Sequence, residues 1–241
     1  MSLPGNPSDD VPGILETGDG DITTLFVSMA RRHPDGADAD YLRWHTLDHR
    51  PEQHRLHEVR ASLRLVSTPE CRKARAASEG PYDEIDHVMT YFFSAPSGMD
   101  GFLELSRVLG DAGRKIPLLP PVERGVYDVQ RREAAKRVKV GADVLPWWPV
   151  RGVYIVLETE GTPIDELTEA DGVAGAWTMR ALDVDAKLGN ARSGQQLTYF
   201  FLDDDPVAVA RRLKPTLQER NPVLAAPFHT IVPHEWDRYV P

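Results

Sequence analysis

The stretch DADYLRWHTLDHRPEQHRLHEVR, residues 38–60, gathers the side chains with the most chemistry in this chain. It holds four of the eight histidines, His45, His49, His54 and His57, with Trp44 among them and Pro51 in the middle. An imidazole can ligate a metal, move a proton near neutral pH, or simply face water. His45 and His49 stand four residues apart, so on a helix they share one face with Leu42. Asp38 or Asp40 is placed to cap the start of that helix. Pro51 removes a backbone donor, so the helix should end or kink at Arg50, leaving His49 in its last turn. A His-x3-His pair is a workable metal clamp, with Glu52, His54, His57 or Glu58 as further donors. The kink and the different azimuths of the four rings speak against one common centre, and no metal is expected. Two readings remain: a solvated helix face, or an acid–base role in a pocket for at least one histidine, His49 or His45.

The elements that must position such a pocket occur twice. Thr90-Tyr91-Phe92-Phe93 matches Thr198-Tyr199-Phe200-Phe201, and each run is followed by a turn and a helix with apolar residues at helical spacing. These are Phe102, Leu105 and Leu109 in one case and Val209, Leu213 and Leu217 in the other. Strands are expected at residues 22–30, 59–68 and 124–130 around the first TYFF run. The second run is flanked by GVYIVLETE, a short helical IDELTEADG, GAWTMRALDV and PFHTIVP. Each half thus reads β-α-β-β-α-β, an α+β unit of the ferredoxin-like kind, with a four-stranded antiparallel sheet and both helices on one face. Packing the two bare sheet faces together gives an α+β barrel within one chain, and a homodimer is an additional expectation. The divisions are a flexible tail at 1–21, a first ferredoxin-like repeat at 22–132, a connector at 133–150 and a second repeat at 151–241.

Strand alternation sorts the side chains into faces. His87, Met89, Tyr91 and Phe93 fall together, as do Arg60, Ser62, Arg64 and Val66. The opposite set on the second strand, Val59, Ala61, Leu63 and Leu65, is wholly apolar and is expected under the helices. That puts Arg64, His87 and Tyr91 inside the barrel, where Met89 and Phe93 would give an apolar surround for a ligand. The plainer alternatives are core filling for Tyr91 and an ion pair of Arg64 with Asp86 or Glu84. In the second half, Trp177, Tyr199 and His229 are the counterparts, His229 reading as an ordinary strand polar residue. Trp147-Trp148, between two prolines, is expected to staple the connector.

Composition narrows the classes. Net charge is −9, and the one basic block, QRREAAKRVKV at 130–140, lacks interleaved aromatics, so nucleic acid is not an expected partner. A single cysteine, Cys71, excludes an intrachain disulfide or thiolate cluster. The start has no secretory pattern and no apolar run nears the ~20 residues of a membrane span, so a cytoplasmic protein with no membrane partner is expected. P-loop, Gly-x-Gly-x-x-Gly and Gly-x-Ser-x-Gly patterns are missing, which removes the chemistries they carry.

Taken together, the YLRWHTLDHRP helix and the DHVMTYFF strand resemble the dimeric α+β barrel superfamily. Trp44, His49 and Pro51 match the Trp-x4-His-x-Pro helix of its EthD-like branch. The resemblance covers residues 22–110, and the second half, lacking that helix, is similar only as a degenerate repeat. It implies a small-molecule enzyme without a cofactor, a cyclase, isomerase or dehydratase acting on an aromatic, polyketide-like or other enolisable carbonyl compound. His49 or His45 would be the base, Tyr91 and Arg64 would stabilise the enolate, and Trp44, His87, Met89 and Phe93 would bind substrate. The alternatives it leaves are a cofactor-free monooxygenase, a haem enzyme with His229 or His87 as axial ligand, and a non-catalytic ligand-binding barrel.

Overall fold

The computed structural model describes residues 21–161 and 165–239. The expected tail lies outside the described residues except for Asp21, which pairs with Arg60 at 3.5 Å. The first half runs β1 (Thr24–Ala30), α1 (Asp38–Trp44), a π-helical turn (His45–His49), α2 (Arg50–Gln53), β2 (Val59–Val66), α3 (Pro69–Ala74), a short β3 (Ala77–Ser78), β4 (His87–Phe93), α4 (Gly98–Asp111) and β5 (Pro121–Ala134). The second runs β6 (Gly152–Glu158), β7 (Val173–Ala181), β8 (Gln196–Leu202), α5 (Pro206–Glu219) and β9 (Leu224–Thr230). Of the expected helical segment at 164–172, the described part forms one 3-10 turn at Asp165–Leu167.

Eight strands close into an antiparallel barrel in the order β2-β4-β1-β5-β7-β8-β6-β9, and β9 returns to β2 through Leu65 opposite Thr230 and Val66 opposite His229. Closure therefore occurs within one chain. Strand order is the same in each half, β2-β4-β1-β5 and β7-β8-β6-β9. β5 runs past its expected end at Gln130 because it pairs with β1 along one stretch and β7 along another, so its polar end is held by ladder bonds. There Arg132 lies 5.1 Å over the Trp177 ring, whose indole N–H donates to the Ala142 carbonyl at 2.9 Å. Of the expected tryptophan staple, Trp148 packs on the barrel core, and the half-exposed Trp147 donates its indole N–H to the Arg60 carbonyl at 3.3 Å.

The barrel lumen is filled by Leu25, Val27 and Met29 of β1, Ala61 and Leu65 of β2, Val88 and Phe92 of β4, and their second-half counterparts Val153, Ile155, Leu157, Tyr199 and Phe201. An eight-stranded barrel leaves room only for side chains, and an apolar filling needs no buried partners. This reverses the expected assignment of faces. The apolar set of β2 fills the lumen, whereas Arg64, His87, Met89, Tyr91 and Phe93 lie on the outer wall beneath the helices. Alternation had sorted the residues correctly but carries no sign for which set is inside.

The TYFF runs are also offset. Thr90 and Tyr199 face each other across the lumen with hydroxyl oxygens 2.7 Å apart. Leu25 pairs with Phe92 as Val153 pairs with Phe201, so Thr90 corresponds in space to Tyr199, and Tyr91 to Phe200. The lettered match is one residue out of structural register, enough to turn every side chain to the other face.

Pro51 does not end the helix. Helical backbone continues to Gln53, and the preceding turn is widened so that the Arg50 N–H reaches the His45 carbonyl. An extra residue in the turn makes room for a ring that would otherwise strike the carbonyl four residues back. Capping differs too. Ala37 occupies the N-cap without a side-chain bond, and Asp38 turns inward instead.

Candidate functional site

A cavity of about 220 Å³ lies on the outer wall of the first-half sheet, under the histidine helix and α4. Its wall is Phe26 and Ser28 of β1, Arg64 of β2, and Met89 and Tyr91 of β4. His45, His49 and Tyr41 cover it from one side and Phe102 from another. His45 and His49 are both buried, with ring centres 5.5 Å apart. The widened turn keeps both on the sheet side of the helix, while His54 bonds the Ser62 hydroxyl at 2.7 Å near the surface and His57 is exposed.

Arg64 and His87 owe their burial to one relay. Asp38 Oδ1 lies 2.7 Å from His87 Nε2, and His87 Nδ1 lies 3.2 Å from an Arg64 Nη. The assignment that satisfies both contacts is a neutral imidazole donating from Nε2 to the carboxylate and accepting at Nδ1 from the guanidinium. Asp38 also accepts the His33 N–H at 3.0 Å. Burial lowers the His87 pKa, in keeping with a neutral ring. Arg64 lies 5.1 Å over the Tyr41 ring, which holds its cation against the cavity wall. The expected pairs with Asp86 and Glu84 do not form. Asp86 is taken by Arg72 and Arg32, and Glu84 by Arg31.

The two helix histidines are left electrically poised. Burial, followed by the Arg64 charge, holds the His45 pKa well below its ordinary value. Burial, followed by the Lys115 charge, pushes His49 down to about 4. Both rings are therefore neutral at neutral pH and able to accept a proton. Nδ1 of each is buried without a hydrogen-bond partner. His49 Nε2 lies 3.4 Å from Gln53 Nε2, while Gln53 Oε1 has no partner. Turning the amide over lets Oε1 accept from the His49 Nε2–H, which leaves Nδ1 as the lone-pair nitrogen. His45 Nε2 is 3.5 Å from the Tyr91 hydroxyl, at the outer limit of a hydrogen bond. Burial raises the Tyr91 pKa, so the phenol stays protonated and remains a donor.

Five of the expected site residues, His45, His49, Arg64, Met89 and Tyr91, line the cavity. The other three stand behind it. Trp44 stacks on His49 at 5.0 Å and donates its indole N–H to the Arg114 carbonyl. His87 backs Arg64, and Phe93 packs edge-on to Phe102 at 5.7 Å. Sequence reasoning missed Tyr41, Phe102 and a group of cations, Lys115, Arg124 and Lys187. Phe102 was noted only as helix core, and Lys187 belongs to the other half, where no motif marks it.

Lys187 arrives on the loop between β7 and β8, which crosses onto β5. The Asn190 and Ala191 N–H groups donate to the Arg124 carbonyl at 2.9 Å each, Asn190 Oδ1 accepts the Arg124 N–H at 2.8 Å, and the Leu182 N–H reaches Val126 O at 2.8 Å. The approach is close enough that a Cβ on Gly189 would lie 2.6 Å from the Arg124 carbonyl oxygen. Leu182, Val184 and Leu188 pack on the apolar cluster around Tyr91 and Phe102.

Among the described residues, no group of three or more His, Cys, Asp or Glu is placed to hold a metal ion. Haem does not fit at His87. His87 has both ring nitrogens engaged, and the cavity beside it is below the ~300 Å³ that drug-sized ligands need, let alone a haem. His229 stacks on Tyr239 at 5.4 Å in a separate open groove, and the space under α5 is filled by Tyr154, Phe200, Leu213 and Leu217.

No protein-family profile matches the sequence, and no curated protein matches it. Among solved structures, a candidate chlorite dismutase aligns over 91% of this chain and 100% of its own, with a TM-score of 0.54 at 12% identity. A mutant chlorite dismutase from Candidatus Nitrospira defluvii, in complex with cyanide, aligns over 93% of this chain and 95% of its own, with a TM-score of 0.48 at 12% identity. An anthrone oxidase-like protein covers 88% and 92%, with a TM-score of 0.43 at 9% identity. No helix is long and apolar enough to cross a membrane among the described residues. What the chain shares with the first of these neighbours is the fold, a closed antiparallel barrel carrying its helices outside.

Proposed function

We propose that the chain is a cofactor-independent cytoplasmic enzyme of the EthD-like branch, built from two ferredoxin-like repeats, that does acid–base chemistry on an aromatic or polyketide-like enolisable carbonyl compound. The observation that carries this reading is the pairing, in one cavity, of two neutral imidazoles having unpartnered buried nitrogens with a protonated phenol and a fixed guanidinium. His49 is the preferred base, since the Arg64 charge lies beside His45 and weakens that ring as a base. Nδ1 of His49 takes a proton from the carbon next to the carbonyl. The Tyr91 hydroxyl and the Arg64 charge stabilise the enolate oxygen that develops. Returning the proton to another carbon gives isomerisation, attack by the carbanion on a second carbonyl gives cyclisation, and loss of a β-hydroxyl gives dehydration.

The test is benzylic hydrogen–deuterium exchange of phenylpyruvate, and α-exchange of benzoylacetate, followed by proton NMR in deuterated buffer. Exchange should exceed the buffer rate and fall about 100-fold or more in His49→Gln, the usual scale for a lost general base. A rate equal to buffer for both compounds, or one that ignores both His49→Gln and His45→Gln, overturns the catalytic reading. Binding without exchange would leave a non-catalytic barrel, and dioxygen consumption in the same incubations would make it a cofactor-free monooxygenase.

A further inference from the structure

The cavity lining contains four cations, Arg64, Lys115, Arg124 and Lys187, and no carboxylate. That bias runs against a chain whose net charge is −9. Of the four, Arg64 alone is compensated, through His87 to Asp38. Among the described residues, Lys115 reaches only the Ser106 hydroxyl, at 3.2 Å. The Arg124 and Lys187 side chains have no hydrogen-bond or ion-pair partner among the described residues. Asp185, the nearest acid to Lys187 along the chain, instead accepts the Lys187 backbone N–H at 2.8 Å. Lys115 and Lys187 are exposed and Arg124 half-buried, which puts these three at the solvent side, with the aromatic wall of Phe26, Tyr91 and Phe102 beyond them. The larger open groove near His229 differs: its Arg151, Arg211 and Arg238 stand among Glu70 and Asp205.

We infer that the first-half cavity takes a small aromatic acid, one ring or two fused rings bearing a single negative charge, whose anionic group rests among Lys115, Arg124 and Lys187. The inference deepens the proposed function and rests on the same cavity being the ligand site. Size sets the ring count, since about 150 Å³ of apolar cavity suffices for benzene and drug-sized ligands need at least ~300 Å³. Uncompensated cations beside low-dielectric walls concentrate the potential that draws an anion in. An anion at the mouth would also offset the Lys115 charge that depresses His49 and so return basicity to the ring. The second half then supplies one binding residue, Lys187, to a site otherwise built by the first.

The test is calorimetric binding of 2-naphthoate against 2-naphthamide and of benzoate against benzamide, pairs alike in shape and different in charge. At low salt each acid should bind at least tenfold tighter than its amide. The preference should shrink in 0.5 M salt and disappear in the Arg124→Gln/Lys187→Gln double variant, whose fold is checked by thermal unfolding. Equal binding of acid and amide, binding of neither pair, or a preference untouched by the double variant overturns the inference. Its fate separates from that of the catalytic reading by comparing phenylpyruvate with the neutral ketone phenylacetone. Exchange equally fast on both, with no charge preference, removes the anion site and keeps the base. Charge-selective binding without exchange does the opposite.

Discussion

In the first half, the outer face of the sheet carries Phe26, Arg64, His87, Met89 and Tyr91, and residues 31–58 lay a histidine helix over part of it. In the second, the corresponding face carries Tyr154, Thr198 and Phe200, residues 159–172 supply no such helix among the described residues, and α5 rests directly on the wall. One strand order therefore serves two ends. Where the wall holds charged groups, a relay from the helix above pairs Arg64 through His87 with Asp38, and a cavity survives beside them. Where the wall carries no charge, Val209, Leu213 and Leu217 close onto Tyr154 and Phe200. The comparison teaches that the cavity on the sheet's outer wall belongs to the half that spent sequence on an extra helical layer, whereas the larger groove of the other half opens beside the wall, at His229.

The largest effect should come from emptying the packed side. Phe200→Ala should cost about 3 to 5 kcal/mol, read from urea unfolding, whereas Tyr91→Phe at the equivalent position should cost about 1 kcal/mol or less. A similar loss at both positions would break the comparison. Asp38→Ala should cost about 3 kcal/mol, because it strands the Arg64 cation in a buried site without a counter-charge. An Asp38→Ala protein as stable as wild type would show that the relay does not hold the wall.

Acid should act on the first half through His49. The folded protein keeps His49 neutral down to about pH 4, while the unfolded chain binds that proton near pH 6.5. The unfolded state thus holds more protons between these limits, and stability should drop as pH falls from 6.5 to 4. The loss attributable to His49 should be about 2 to 3 kcal/mol. His49→Gln should flatten the fall measured by urea midpoints across that range, and an unchanged slope would contradict the burial argument. The smallest effect is expected from Asn190→Ala. Removing its bonds to Arg124 N–H and Val122 O should cost about 1 kcal/mol and speed amide exchange in the 182–195 loop, weakening naphthoate binding through Lys187.

Much of the architecture is legible in the sequence because apolar alternation marks strands and spacing marks helices. The His45–His49 pair, Arg64 and Tyr91 stand out in the sequence because their polar groups are costly to bury without partners, and the structure brings them to one cavity. What escapes is orientation. Alternation divides β2 and β4 into two sets without saying which faces the lumen, and the TYFF letters match one residue away from the match in space. The π-helical turn before Pro51 also escapes, since proline chemistry predicts a break and the backbone absorbed it by widening. Lys187 was beyond reach because it comes to the cavity from the other half on a loop whose docking depends on Gly189.

The most direct test of the account is a proton NMR titration of the histidine Cε1–H signals, assigned with His45→Gln and His49→Gln, with and without 2-naphthoate. The account predicts that His45 titrates well below its ordinary range, that His49 titrates near 4, and that the ligand shifts both signals and raises the His49 pKa. Two rings that titrate near 6.5 and ignore the ligand would contradict it, leaving the histidine helix a solvated face and the first half no more open than the second.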